Sequence, residues 1–212
     1  MTDARILTGD CRELLAELPA ESVQTVVTSP PYWGLRDYGV DGQIGLESSL
    51  REWIDQMVQV FREVRRVLRG DGTLWANVGD TYSSGGRRTQ TAPGGNVGHR
   101  GMRGPVQTRA TDDGKPKDLL GVPWEFAFAL RADGWYLRQD IIWSKPNPMP
   151  ESVRDRCTKA HEYLFLLSKS EKYFYDFQAV QEPVNGGAHA RKAVGGRAEG
   201  AGEVAGFSRK AV

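Results

Sequence analysis

Apolar positions in this chain alternate between two periods, and the switches between them predict its elements. Ile6 and Leu7 lead into Thr8-Gly9-Asp10-Cys11 and read as a short strand ending at Gly9-Asp10. Leu14, Leu15 and Leu18 then share one helical face, and Pro19 stops the run. Residues 22–28, with Val23, Val26 and Val27, predict the next strand. Residues 50–69 predict a long amphipathic helix. Trp53, Met57, Val60, Val64, Val67 and Leu68 form its stripe, Arg62, Glu63, Arg65, Arg66 and Arg69 largely fill the other face, and Gly70-Asp71-Gly72 ends it. Residues 73–78 predict a strand running into Gly79-Asp80-Thr81-Tyr82, and residues 123–130 a helix stopped by Asp133-Gly134. Strands follow over 135–144 and 162–168, with Tyr173-Phe174-Tyr175 as a short return strand or edge. A strand, a helix and a second strand make a unit whose crossover sets the strands parallel. Asp10 and Ser29 are thus expected at the carboxyl ends of neighbouring parallel strands, where open α/β sheets bind ligands.

Two stretches lose this periodicity. Residues 83–117 carry Arg87, Arg88, Arg100, Arg103 and Arg109 and no acid before Asp112. So polar a segment buries too little surface to offset its ordering entropy. It reads either as a solvated insertion or as a mobile basic segment that clamps phosphate backbone. Residues 185–212 are rich in Gly, Ala, Arg and Lys and are expected to be a disordered tail or the start of a further segment.

Composition narrows the function classes. A net charge of +1 gives no bulk attraction to nucleic acid, so any basic surface is local. Cys11 and Cys157 make neither a metal cluster nor a disulfide framework, so no metal is expected and free thiols in an intracellular, cytoplasmic setting are the simpler reading. The first residues carry no basic-plus-apolar signal pattern, and no apolar run reaches membrane length. The 212 residues suffice for one α/β domain with a sizeable core.

The chemistry concentrates in Thr28-Ser29-Pro30-Pro31-Tyr32-Trp33. Pro30 and Pro31 lack backbone N–H groups and fix their own φ, and Ser29 and Pro30, each before a proline, are pushed toward extended conformations. The strand therefore ends in a rigid turn that presents carbonyl acceptors, a hydroxyl and two aromatic rings. That set suits a planar substrate carrying an exocyclic amine. Taken alone, the tripeptide reads equally as a proline-rich strand exit beside core aromatics.

With both loops placed, the chain resembles the amino-methylating DNA methyltransferases, S-adenosylmethionine enzymes that modify cytosine N4 or adenine N6. The resemblance covers residues 5 to 183. It rests on Gly9-Asp10-Cys11, on Thr28-Ser29-Pro30-Pro31-Tyr32-Trp33, on the block from Gly72 to Tyr82, and on Asp140-Ile141-Ile142-Trp143-Ser144-Lys145-Pro146-Asn147. It implies a Rossmann-like methyltransferase sheet, mostly parallel with an antiparallel strand. It also implies that the target base is flipped out of double-stranded DNA and stacks on Tyr32. Ser29 and a carbonyl of Pro30-Pro31 accept from the amine, which attacks the sulfonium methyl in line. Asp10 and Cys11 lie at the cofactor's adenine. Trp33, Lys145, Pro146 and Asn147 line the base pocket, and Arg87, Arg88, Arg100 and Arg103 meet DNA. Ser at the first motif position resembles the cytosine-N4 branch, where the adenine branch more often has Asp.

The family's Phe-x-Gly-x-Gly segment has no match in this chain. The order seen corresponds to the permuted class, cut before its target-recognition and Gly-loop segments. The expected fold is therefore partial, lacking the Gly-loop strand, with 1–184 as the catalytic half. The implied partners are DNA and either a complementing chain or a cognate restriction enzyme of a restriction-modification system. Three readings stand beside cytosine-N4 methylation: adenine N6, a protein glutamine or RNA amine, and an inactive DNA-binding fragment that needs a complementing half.

Overall fold

A computed structural model describes residues 4–83 and 115–181. Residues 84–114 of the expected basic insertion, with Arg87, Arg88, Arg100 and Arg103, and the expected Gly-rich tail lie outside the described residues. The element order is α1 (Cys11–Glu17), β1 (Val23–Thr28), α2 (Leu50–Val67), β2 (Leu68–Val78), α3 (Val122–Ala132), β3 (Tyr136–Ser144) and β4 (His161–Ser168). The four strands form one sheet in the order β1-β2-β4-β3, β1 parallel to β2 and both other pairs antiparallel. The mixed α/β sheet agrees with the expected class, and its parallel part among the described residues is the single pair β1–β2.

Helix α2 forms because its apolar residues recur at helical spacing and its start is capped: the Ser49 hydroxyl accepts from the Glu52 N–H at 3.2 Å. Trp53, Met57, Phe61 and Val64 turn one face inward and pack with Phe126 and Leu130 of α3. These helices cover the sheet face that presents Leu74, Ala76 and Val78 of β2 and Phe165 and Leu167 of β4, all fully buried. Phe61 meets Phe126 edge-on at 5.2 Å, and Trp124 meets Phe165 edge-on at 5.3 Å. Each fully buried side chain of this size contributes roughly 1.5–3 kcal/mol. Arg66 ties α1 to α2, donating to the carbonyls of Leu15 at 2.7 Å and Leu18 at 3.0 Å.

Three local expectations give way. Residues 6–8 form no strand: Ile6 is 91% exposed, and among the described residues β1 is paired only along its β2-facing edge, leaving Val27 74% exposed. Two or three ladder bonds are too few to hold so short a stretch without a neighbouring strand. The pairing of the Asp10 and Ser29 strands is therefore absent. Gly70-Asp71-Gly72 lies inside β2 instead of breaking the chain after α2, and the β1–β2 register shifts between Val23 and Thr25. Glycines take up such an irregularity without a side chain to place. Residues 173–175 lie in no described strand, because aromatic β-propensity specifies no partner.

The chain divides into two units, Met1–Tyr173 and Phe174–Val212. In the second, residues 177–180 form a turn beside which the Ala179 N–H donates to Asp176 Oδ1 at 3.1 Å.

Candidate active site

The turn after β1 is fixed from below by the core. Trp53 is fully buried in α2, and its indole N–H donates to the Pro31 carbonyl at 3.0 Å. Among the described residues no donor is bonded to the Pro30 carbonyl. The following loop folds back over the turn. Gly34 N–H donates to the Gly45 carbonyl at 2.8 Å, and Gly45 has φ +107° where a Cβ would stand 3.1 Å from the Tyr32 carbonyl. Both the positive φ and the close approach require glycine there.

Ser29, Pro30, Pro31, Tyr32, Leu35, Arg36, Tyr38, Asn77 and Glu162 line a cavity of about 360 Å³ at the carboxyl end of β1. The Ser29 hydroxyl proton has three acceptors within reach: the Tyr32 hydroxyl oxygen at 3.2 Å, Asn77 Oδ1 at 3.3 Å and the Asn77 carbonyl at 3.5 Å. Whichever it takes, the lone pairs of Ser29 Oγ stay available as acceptors. The Tyr32 phenol donates to Asn77 Oδ1 at 2.7 Å and lies 3.1 Å from Glu162 Oε2. Burial, with the Glu162 carboxylate beside it, pushes the Tyr32 phenol up to about 12, against a smaller opposing effect of Ser29. Tyr32 is therefore a neutral donor at physiological pH. Burial would raise Glu162, but the hydrogen bond and charge of Lys145, with the bonds to Tyr32 and Asn77, carry it below its ordinary value.

A second, mostly apolar cavity of about 450 Å³ lies beside the first, and Pro30 and Pro31 belong to both walls. It is lined further by Asp10, Cys11, Arg12, Leu15, Val26, Val27, Thr28, Ile44, Met57 and Phe61 among others. The Asp10 and Ser29 loops thus open on the same sheet edge without sitting on paired strands. Asp10 caps α1, its Oδ1 accepting from the Arg12 N–H at 2.8 Å, and it also pairs with the Arg12 guanidinium at 2.5 Å. The Arg12 side-chain hydrogen bonds, then the backbone bond, lower its carboxyl from 3.8 to about 2. Three Arg12 N–H groups already share the two carboxylate oxygens, which leaves about one of its four lone-pair sites for a ligand amine.

The remaining expected positions divide. Trp33, expected against the substrate, is instead a core residue, 3% exposed, its indole donating to the Glu47 carbonyl at 3.1 Å. Alternation around the proline turn puts Tyr32 toward the cavity and Trp33 toward the core. Lys145 reaches the site through its ion pair with Glu162. Pro146 and Asn147 form an exposed bend and line neither cavity. Cys11 and Cys157 are free and exposed, and no metal-binding group of residues occurs among the described residues. No described helix is long and apolar enough to cross a membrane.

Sequence reasoning missed Asn77, Gly79, Glu162, Leu35, Arg36 and Tyr38 as site residues. Glu162 carried a readable signal. It is a lone carboxylate opening the apolar run Tyr163-Leu164-Phe165-Leu166-Leu167, at the end of an antiparallel strand that borders the carboxyl ends of the parallel pair.

The DNA methylase family model (N6_N4_Mtase) matches residues 23–197. The chain is 54% identical over 187 residues to the Type II methyltransferase M.Cfr9I of Citrobacter freundii, covering 88% of this chain and 61% of that protein. It is 54% identical over 186 residues to the Type II methyltransferase M.SmaI of Serratia marcescens, covering 87% of this chain and 62% of that protein. The chain thus spans about three-fifths of the length of these relatives. Among solved structures, a putative DNA modification methylase of Thermus thermophilus complexed with S-adenosyl-L-methionine aligns with TM-score 0.51 and 25% identity, over 81% of this chain and 55% of that one. The cytosine-N4-specific PvuII DNA methyltransferase shares the fold, with TM-score 0.55 and 18% identity over 81% of this chain and 51% of its own.

Proposed function

The chain belongs to the amino-methylating DNA methylase family, and from that premise we propose that it carries the catalytic part of an S-adenosylmethionine-dependent DNA methyltransferase, holding both the cofactor and the flipped-out cytosine whose N4 amine is methylated. The observation that carries this reading is the shared Pro30–Pro31 wall between a polar cavity at Ser29 and Tyr32 and an apolar cavity at Asp10 and Cys11. Two ligands held on either side of one rigid turn are close enough to react, and proximity of that kind contributes most of the rate in reactions needing no covalent help from the protein.

The donor set of the apolar cavity fits the proposed cofactor. Asp10 offers a carboxylate to an adenine amine, and Val26, Met57 and Phe61 offer apolar walls to a ring. S-adenosylmethionine, when bound, supplies an electrophilic methyl group on a sulfonium. In the polar cavity, Ser29 Oγ and the Pro30 carbonyl accept hydrogen bonds from the base amine. Two such acceptors rotate the nitrogen lone pair out of conjugation with the ring and point it toward the shared wall. Tyr32 provides a stacking surface, worth about 1–3 kcal/mol for a base on an aromatic ring. The serine at the first motif position favours cytosine N4 over adenine N6.

The test is nucleoside analysis of DNA from cells expressing the coding sequence, with and without Ser29→Ala. N4-methylcytosine that disappears in the variant supports the reading. N6-methyladenine would keep the family chemistry and move the acceptor. DNA bearing neither modification would overturn the proposal.

A further inference from the structure

Three strand ends converge on one side chain in the polar cavity. Tyr32 follows β1, Asn77 lies near the end of β2, and Glu162 is the second residue of β4. The Asn77 side-chain N–H donates to the Tyr163 carbonyl at 3.1 Å, which turns its oxygen toward the Tyr32 phenol. Lys145, at the exit of β3, holds the far oxygen of Glu162 and so aims the near one at the same phenol. Gly79 closes the other side: a Cβ there would stand 2.6 Å from Tyr32 Cε2 and 2.9 Å from Cδ2, closer than any real contact. The ring is thus held at its tip by one phenol proton shared between two acceptors, and its edge lies against Gly79, where no side chain would fit.

We propose that Glu162, Asn77 and Gly79 are positioning residues that hold the Tyr32 ring in the plane a flipped-out base stacks on, with Lys145 anchoring Glu162. The proposal rests on the reading of Tyr32 as the stacking surface, and it assigns work to residues outside the Ser-Pro-Pro-Tyr motif. Tyrosine contributes more here than phenylalanine would, because the phenol is the handle by which the ring is oriented. The anionic state of Glu162 and the protonated state of Tyr32 suit that arrangement across the neutral range. An unanchored ring still fills its space, but it samples orientations in which the base amine misses Ser29. The cost then falls on turnover more than on binding.

Two measurements decide it. In the first, the chain is labelled with 3-fluorotyrosine, and the Tyr32 signal is assigned by its loss in Tyr32→Phe. Glu162→Gln keeps an acceptor but removes the charge, so the Tyr32 phenol should gain acidity by at least about threefold. In the second, single-turnover methyl transfer to duplex DNA is compared with DNA affinity. Glu162→Gln and Gly79→Ala should each slow transfer by roughly tenfold or more while affinity changes by less than about threefold. A Tyr32 phenol that titrates in Glu162→Gln as in the parent overturns the proposal, and so does a shifted phenol with unchanged transfer. A parent chain that transfers no methyl group defeats the functional reading instead, and the fluorine titration still decides whether Glu162 holds Tyr32.

Discussion

Replacing Trp53 isolates the link between the core and the Pro30–Pro31 turn. Trp53→Phe removes the indole donor that holds the Pro31 carbonyl at 3.0 Å, and it opens space in a site where the side chain is fully buried and packed 6.1 Å from the Phe126 ring. A lost hydrogen bond of this kind costs about 1 kcal/mol. The indole-to-phenyl truncation adds roughly 1–3 kcal/mol for transfer and cavity. The total, about 2–4 kcal/mol, corresponds to a urea midpoint lower by about 1–2 M at an m-value near 2 kcal/mol/M. Incorporating benzothienylalanine at position 53 keeps the shape and replaces only the N–H. It should therefore lower stability by about 1 kcal/mol while loosening the turn. Urea unfolding of the three proteins, with hydrogen exchange at Tyr32 and Trp33, reads both effects. If Trp53→Phe shifts the midpoint by less than about 0.3 M, the core does not hold the turn in the way described here.

Two further predictions concern the Asp10 loop. Arg66→Ala frees the Leu15 and Leu18 carbonyls and should raise amide exchange in Cys11–Glu17 by tenfold or more relative to α2, the order expected for losing about 1.4 kcal/mol of local protection; equal protection in variant and parent would show that α1 does not depend on this tether. Asp10 ionises more readily folded than unfolded, so its ionisation favours the fold above 3.8, and that contribution is lost as pH falls through about 2. In Arg12→Ala, carboxyl NMR should therefore find Asp10 titrating clearly above its parent value but still below 3.8, because the backbone N–H of residue 12 remains bonded to it, and a midpoint still near 2 would refute the role given to the Arg12 side chain.

How much was legible follows the physics of each element. Helix α2 and strand β4 were plain because each buries one face or a continuous apolar run, and periodicity records burial directly. The turn at Ser29 was plain because two adjacent prolines restrict the backbone locally. The 6–8 strand was misread because apolar alternation reports what a segment could pair with, and β1 offers it no partner among the described residues. Trp33 looked like a site residue from its position beside Tyr32. Only the tertiary register reveals that the two rings point to opposite sides of the turn. Asn77 stayed hidden, and the lone carboxylate of Glu162 gave no hint of its partner, because they lie 45 and 130 positions from Tyr32 and strand order brings them to it.

The central claim is that the cavity at Asp10 and Cys11 holds S-adenosylmethionine on the far side of the proline turn from the base. Two free thiols make that directly measurable: Cys11 lines the cavity and Cys157 does not. Alkylation of both can be followed by mass spectrometry at mildly alkaline pH, since burial and the neighbouring Asp10 raise the Cys11 thiol. With the ligand tenfold above its dissociation constant, Cys11 should react about tenfold more slowly while Cys157 keeps its rate. Cys11 alkylated at the same rate with and without saturating S-adenosylmethionine would contradict the account.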